Sequence, residues 1–263
     1  MRKLSQDDLE SLLRAHRKTG TPLDLSGHDL RDAILIGADF SRANLRNANL
    51  EGADLTRADF SRADLTRANL RNANLTGANL NYAYLGDAIL WRADLTRADL
   101  TRADLTRADL TEASLAGANL SHADLTNARL EGANLFGATL RNADLTRAFL
   151  TGANLQSATL LRARLSESNL RNADLTEAYL GDAILWRADL PRATLIRADL
   201  TRADLTEASL AGANLSHADL TNARLEGANL FGATLAGVNL AESNLRNAIL
   251  TRANLTEANL RNA

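Results

Sequence analysis

The chain has 263 residues, 24% of them charged, and 30 Lys and Arg nearly cancel 32 Asp and Glu to leave a formal net charge of −2. That balance disfavours a simple polybasic nucleic-acid binder and a strongly acidic decoy, so no direct nucleic-acid binding is expected. The absence of cysteine removes disulfides, thiolate chemistry and cysteine-ligated zinc. No apolar run approaches the roughly 18 residues of a membrane span, and the first residues lack the 7–15-residue apolar stretch, as an order of length, of a signal peptide. A cytoplasmic protein without a membrane partner is the expectation.

Residues 1–22 differ from the rest of the chain. Ser5 and Asp8 have the spacing of a capping box, with Asp in place of Glu or Gln. Leu9, Leu12 and Leu13 fall at i, i+3 and i+4, on one helix face. Arg14, His16, Arg17 and Lys18 lie in the last turns, where positive charge suits the helix dipole, and Gly20 and Pro22 end the segment. The pattern predicts one helix over 5–18. Its apolar face is too small to fold alone, so it is expected to cover an open end of the structure formed by residues 23–263; a partner-binding helix is the alternative.

From Leu25 to Leu260 every fifth residue is Leu, or Phe at 40 and 60, for 48 consecutive positions. From Leu35 onward, two residues before each stands a small residue, almost always Ala, with Ser168, Val238 and Ser243 as mild departures. A period of five fits neither an isolated helix nor a flat strand. It belongs to a repeat architecture.

The unit is A-(D/N)-L-x-x, as in Ala43-Asn44-Leu45-Arg46-Asn47 and Ala53-Asp54-Leu55-Thr56-Arg57. In this motif the chain resembles the pentapeptide-repeat proteins, over residues 23–263. The resemblance implies an all-β fold, a right-handed quadrilateral parallel β-helix with four pentapeptides per coil. Leu and Ala would point inward, and the short N-terminal α-helix would cap one end. Twenty residues per coil give about 12 coils and a rod of about 58 Å at the spacing of hydrogen-bonded strands. Repeats this regular are similar to those of cyanobacteria.

Two features support 20 residues per coil. Phe40 and Phe60 are 20 apart, which would let them stack. Arg67, Asp87, Arg107, Asn127, Arg147, Glu167, Arg187 and Glu207 alternate positive groups with negative or neutral ones, as neighbours across a sheet prefer. Asp104, Asp124 and Asp144 would instead form a like-charge column, which Arg102 and Arg107 are expected to offset.

Residues 83–140 recur almost verbatim at 178–235, an offset of 95 residues or 19 pentapeptides. Nineteen is not a multiple of four, so the copy is expected a quarter-turn from the original. A site spread over stacked coils is then not expected to be copied intact, whereas a patch within one coil is. Tyr84, Ile89 and Trp91 form such a patch and return as Tyr179, Ile184 and Trp186. They are candidate contacts for a protein partner of unknown identity, since aromatic anchors often dominate interfaces. The other reading is ordinary cross-strand packing.

No catalytic, cofactor-binding or metal-binding residue stands out. His16, His28, His122 and His217 lack metal-ligand spacing. The carboxylates recur on a convex surface where an uninterrupted rod is expected to offer no cleft, and no nucleotide-binding glycine motif occurs. The recurring glycines, such as Gly117, Gly132 and Gly137, read as corner residues. The pattern runs to Ala263 without a polar cap, and an end-to-end homodimer through the last coil is one expectation drawn from that.

These readings point to a non-enzymatic structural or protein-interaction rod. The alternative comes from the resemblance: some pentapeptide-repeat proteins are similar in shape and charge to duplex DNA and bind type II topoisomerases such as DNA gyrase. Here 29 acidic against 25 basic residues in 23–263 fall far short of about one negative charge per 1.7 Å of DNA. No loop interrupts the repeats either.

Overall fold

The computed structural model describes residues 2–4 and 6–263. β1 (Arg2–Lys3) is followed by α1 (Gln6–Thr19), and β2 (His28–Asp29) pairs with β1 in parallel, Arg2 opposite His28. The helix thus lies within a residue of its predicted bounds at each end; Ser5 lies outside the described residues. Asp7 and Asp8 occupy its first turn and His16, Arg17 and Lys18 its last, the arrangement the helix dipole favours. Gly20, at φ +66°, ends it by donating its N–H to the His16 carbonyl at 2.8 Å, a left-handed cap that glycine adopts without strain. Leu9 is buried, Leu13 packs partly against the same core, and Leu12 is 41% exposed. The buried stripe therefore runs through 9, 13 and 16, and Leu12 lies to one side of it.

Beyond α1 the chain winds into a parallel solenoid. Residue n bridges residue n+20 without interruption, from Asp24 with Asn44 to Asn239 with Asn259. Phe40 and Phe60 stack with centroids 4.9 Å apart and planes 7° from parallel. Leu45 to Leu225 at every fifth position are fully buried, and the alanines between them are 0–1% exposed. The core is a column one Leu and one Ala deep on every side. Where Ala is replaced, Ser168 stays fully buried and donates its hydroxyl to the Leu165 carbonyl at 2.7 Å.

Backbone accounting explains the rest of the motif. In residues 64–68, Asp64 N–H reaches the Ala43 carbonyl (2.9 Å) and Leu65 N–H the Tyr84 carbonyl (2.7 Å). Arg67 N–H reaches the Gly86 carbonyl (3.0 Å), and Ala68 N–H closes a turn on the Leu65 carbonyl (2.9 Å). Only Thr66 N–H is left, and the Asp64 carboxylate accepts it at 3.0 Å, together with the Thr66 hydroxyl at 2.6 Å. All five donors are satisfied. The Asp or Asn that precedes most of these Leu residues is thus a turn acceptor, a role that periodicity alone did not reveal.

The turn also sets a conformational demand. Its second central residue has φ between +54° and +67° at every position from Gly27 to Asn262. With positive φ confined to that residue and the hydrogen bond closing from its i+3 neighbour, the turn is type II. Gly117, Gly132 and Gly137 sit there as the sequence suggested. Most of these corners, however, carry Arg, Asn, Glu or Asp. Val, Ile and Thr never occur at them, although Thr fills 16 of the positions immediately before. Branching at Cβ is what the left-handed region tolerates least.

Candidate functional site

Tyr84, Ile89, Tyr179 and Ile184 all occupy the position before a buried Leu, where Asp or Asn normally holds the turn. Each stays in register, Tyr84 between Asp64 and Asp104 and Ile184 between Arg164 and Asp204. Their side chains cannot accept the following N–H, so these turns lack the carboxylate or amide clamp seen at Asp64–Thr66. Tyr84 and Tyr179 are 54% and 51% exposed, Ile184 is exposed, and Ile89 is half-buried. Ile89 and Trp91 flank the buried Leu90; Tyr84 belongs to the preceding pentapeptide, beyond the turn at Gly86 and Asp87.

Trp91 and Trp186 are half-buried at turn positions and each meets arginine. The Arg92 guanidinium lies 4.2 Å and that of Arg71 5.4 Å from the Trp91 ring centre. Arg187 lies 4.4 Å from that of Trp186. Arg92 Nε is 2.6 Å from Glu112, and Arg187 Nε is 2.6 Å from Glu207. Each patch is therefore a Trp–Arg–Glu unit, and cation–π attraction holds the ring against the surface. Arg187 and Glu207 belong to the ladder read from the sequence, whereas Arg92 and Glu112 were not singled out there, and nothing in the sequence tied either pair to its tryptophan.

Inter-coil contacts are copied as well. Arg107 forms a two-bond fork with Asp87 at 2.7 and 2.8 Å, and Arg202 forms the same fork with Asp182. This corrects the expectation that only single-coil patches survive the duplication. The copied segment is nearly three times the 20-residue bridge spacing, so stacked partners travel together. Because 95 is not a multiple of 20, Trp186 stands in a different column from Trp91.

The ladder from Arg67 to Glu207 is formed: Arg67 and Arg107 both face Asp87, Arg147 faces Glu167, and Arg187 faces Glu207. The hydrogen bond from Arg107 holds the Asp87 carboxyl below the usual carboxylate range, and Arg202 and Arg147 do the same to Asp182 and Glu167. Water screens these exposed pairs, and their stability contribution is small. Their use is in matching one coil to the next. Asp104, Asp124 and Asp144 do stack in one column. Relief comes mainly from elsewhere than expected: Arg107 feels Asp104 but bonds Asp87, and Arg102 donates to the Tyr82 hydroxyl. Each aspartate instead accepts its own turn N–H at 2.9 Å, and Arg164 Nε lies 3.3 Å from Asp144.

Among the described residues no group of three or more His, Asp or Glu side chains is placed to hold a metal ion, and no helix is long and apolar enough to cross a membrane. His16 is a staple: its Nδ1 lies 2.6 Å from the Thr21 carbonyl oxygen and its Nε2 3.0 Å from that of Ser41. Beside it the surface is recessed, between the segment leaving α1 and residues 39–82. A cleft at this place was not expected from the repeat, because the helix connector makes it.

The model of the family described as Pentapeptide repeats matches successive segments of the chain from residue 24 to 263. Among solved structures, the chain is similar to HetL, a pentapeptide repeat protein involved in heterocyst differentiation regulation from the cyanobacterium Nostoc sp. strain PCC 7120. Identity is 34%, coverage 95% of each chain, and the TM-score 0.34. Rfr23 from the cyanobacterium Cyanothece 51142 is 32% identical over 42% of this chain and 90% of that one, with a TM-score of 0.32. QnrB1, a plasmid-mediated fluoroquinolone resistance protein, is 17% identical over 90% and 91%, with a TM-score of 0.32. No curated protein matches the chain. Pentapeptide-repeat proteins fold as right-handed β-helices, and the chain belongs to that family.

Proposed function

We propose that the protein is a non-enzymatic rod, about 12 coils long and square in section, that displays protein-binding patches on a stiff scaffold. Residues 1–22 close one end and 23–263 form the rod, working in a reducing compartment such as the cytoplasm. One observation carries the reading. Tyr84, Ile89, Tyr179 and Ile184 replace the turn acceptor that the fold uses at most other coils, and each lies close in sequence to an arginine-backed tryptophan. A surface chosen for stability alone would keep Asp or Asn there; exposed Tyr and Trp with Arg are the groups that dominate interfaces. The ion-paired columns and near-zero net charge disfavour the alternative of a DNA-like surface for a type II topoisomerase.

The expected result is a trade between stability and binding. Y84N/I89N/Y179N/I184N restores four turn acceptors without adding charge and raises stability in urea by a few tenths to about 1 kcal/mol per site. The same variant, and W91A/W186A, lose the specific partner that the parent chain retains from its native extract, identified by mass spectrometry. Retention of every specific partner by both variants contradicts the reading.

A further inference from the structure

The recess beside α1 has a volume of about 740 Å³. Its two long sides differ in how their charges are used. On one, Asp39 accepts the Ser41 N–H at 3.0 Å, and Asp59 accepts the Ser61 N–H at 2.9 Å and the Asn79 amide at 3.0 Å. On the other stand Arg42 and Arg62, with Arg17 at the helix end. Among the described residues, none of these three arginines has a carboxylate within ion-pair distance; Arg62 only approaches the Tyr82 ring, at 5.7 Å.

Arg42 and Arg62 are set apart by being corner arginines stacked directly one above the other, which no other pair of corner arginines is. Most other corner arginines either face acidic residues one coil away, as in Arg67–Asp87–Arg107 and Arg162–Asp182–Arg202, or, like Arg57, Arg97 and Arg192, have only Gly or Asn above and below them. From the recess the column runs through Arg42, Arg62, Tyr82, Arg102, His122, Asn142 and Arg162 before it reaches its first carboxylate, Asp182. Arg42 and Arg62 are stacked like charges about 4.8 Å of coil rise apart, an arrangement that opposes folding. A second observation falls in the same place. Asn81 lines the recess, and its Oδ1 is buried without a hydrogen-bond donor, a state that polar groups rarely keep unless something else supplies the bond.

We propose that this recess binds a short acidic peptide segment of a partner protein, its carboxylates on Arg17, Arg42 and Arg62 and a main-chain N–H on Asn81 Oδ1. This names the partner chemistry of the protein-interaction reading and rests on it, at a site separate from the tryptophan patches. A peptide supplies both the anion and the N–H donor that the recess lacks. A nucleic acid would bring a continuous line of phosphates against Asp39 and Asp59, on a protein whose net charge is already negative. The recess spans three coils, room for roughly three or four extended residues at about 3.3 Å each.

Fluorescence anisotropy of the full chain with a labelled, N-acetylated Glu-Ser-Glu-Ser-Glu peptide, at about 50 mM salt where charge attraction is only partly screened, tests this. Saturable binding is expected. R42E/R62E weakens it at least tenfold, while R97E/R192E, the same charge change at corners outside the recess, leaves it within twofold. N81A weakens binding several-fold without lowering the melting temperature, because it removes an oxygen that has no partner in the free protein. Absence of binding, equal loss in both double variants, or tighter binding of a single-stranded oligonucleotide than of the peptide overturns the proposal. Capture that remains sensitive to W91A/W186A in such a case keeps the rod reading and rejects only this site.

Discussion

Leu145→Ala is expected to destabilise the protein by about 2–5 kcal/mol, and Leu145→Asp to abolish the folded state. Leu145 is fully buried, and its coil cannot collapse into the space a smaller side chain leaves. Leu145 N–H is bonded to the Arg164 carbonyl at 2.6 Å, and Leu125 N–H to the Asp144 carbonyl at 2.7 Å. The backbone is therefore pinned from above and below, and the lost methyl groups become a cavity, not a repacked core. Leu260, by contrast, is 43% exposed, and Leu260→Ala is expected to cost less than about 1 kcal/mol. Urea unfolding of both variants gives the comparison. Because each coil touches only its neighbours, hydrogen exchange in Leu145→Ala should quicken first around residues 125–165 and not throughout the rod.

Arg97→Val is expected to cost about 1–2 kcal/mol, while Arg97→Gly raises stability by up to about 1 kcal/mol. Arg97 has φ +57°, and its side chain makes no ion pair among the described residues. Both substitutions remove the same guanidinium, so their difference isolates the backbone. Valine brings a branched Cβ into a region where even an unbranched one is crowded; glycine removes the crowding and gives back part of the gain through a more flexible unfolded chain. Equal urea midpoints for the two variants would show that the turn relaxes and that the absence of Val, Ile and Thr from these corners has another cause.

The beat of Leu every five residues and the pairing of Phe40 with Phe60 made the core and the coil register legible from the sequence. A hydrophobic position repeated 48 times leaves no freedom in which side chains face inward. The reason for Asp or Asn before most of these Leu residues was not legible, because it depends on which single N–H the inter-coil bonds leave over. The corner rule was hidden for a similar reason: it shows in which residues are missing, not in which are present. At the surface, Arg67 to Glu207 could be read as a ladder, yet the fork of Arg107 on Asp87 and the turn of Arg102 toward Tyr82 were decided by local geometry. The recess escaped the sequence altogether. It arises where the aperiodic segment leaving α1 meets periodic coils, and His16, which staples that junction, sits outside the repeat.

The surface columns, the copied patches and the unpaired arginines all depend on residue n lying beside residue n+20. The chain has no cysteine, so engineered pairs report that neighbourhood without competition. Asp99 and Asn119 are bridge partners, at the separation of adjacent strands, where a disulfide can close. Under mild oxidation D99C/N119C is predicted to cross-link to completion within the folded monomer, read by mass spectrometry after proteolysis. D99C/S114C and D99C/D124C, 15 and 25 residues apart, are predicted to remain reduced. Closure of either control in preference to D99C/N119C would contradict the 20-residue register and every surface assignment built on it.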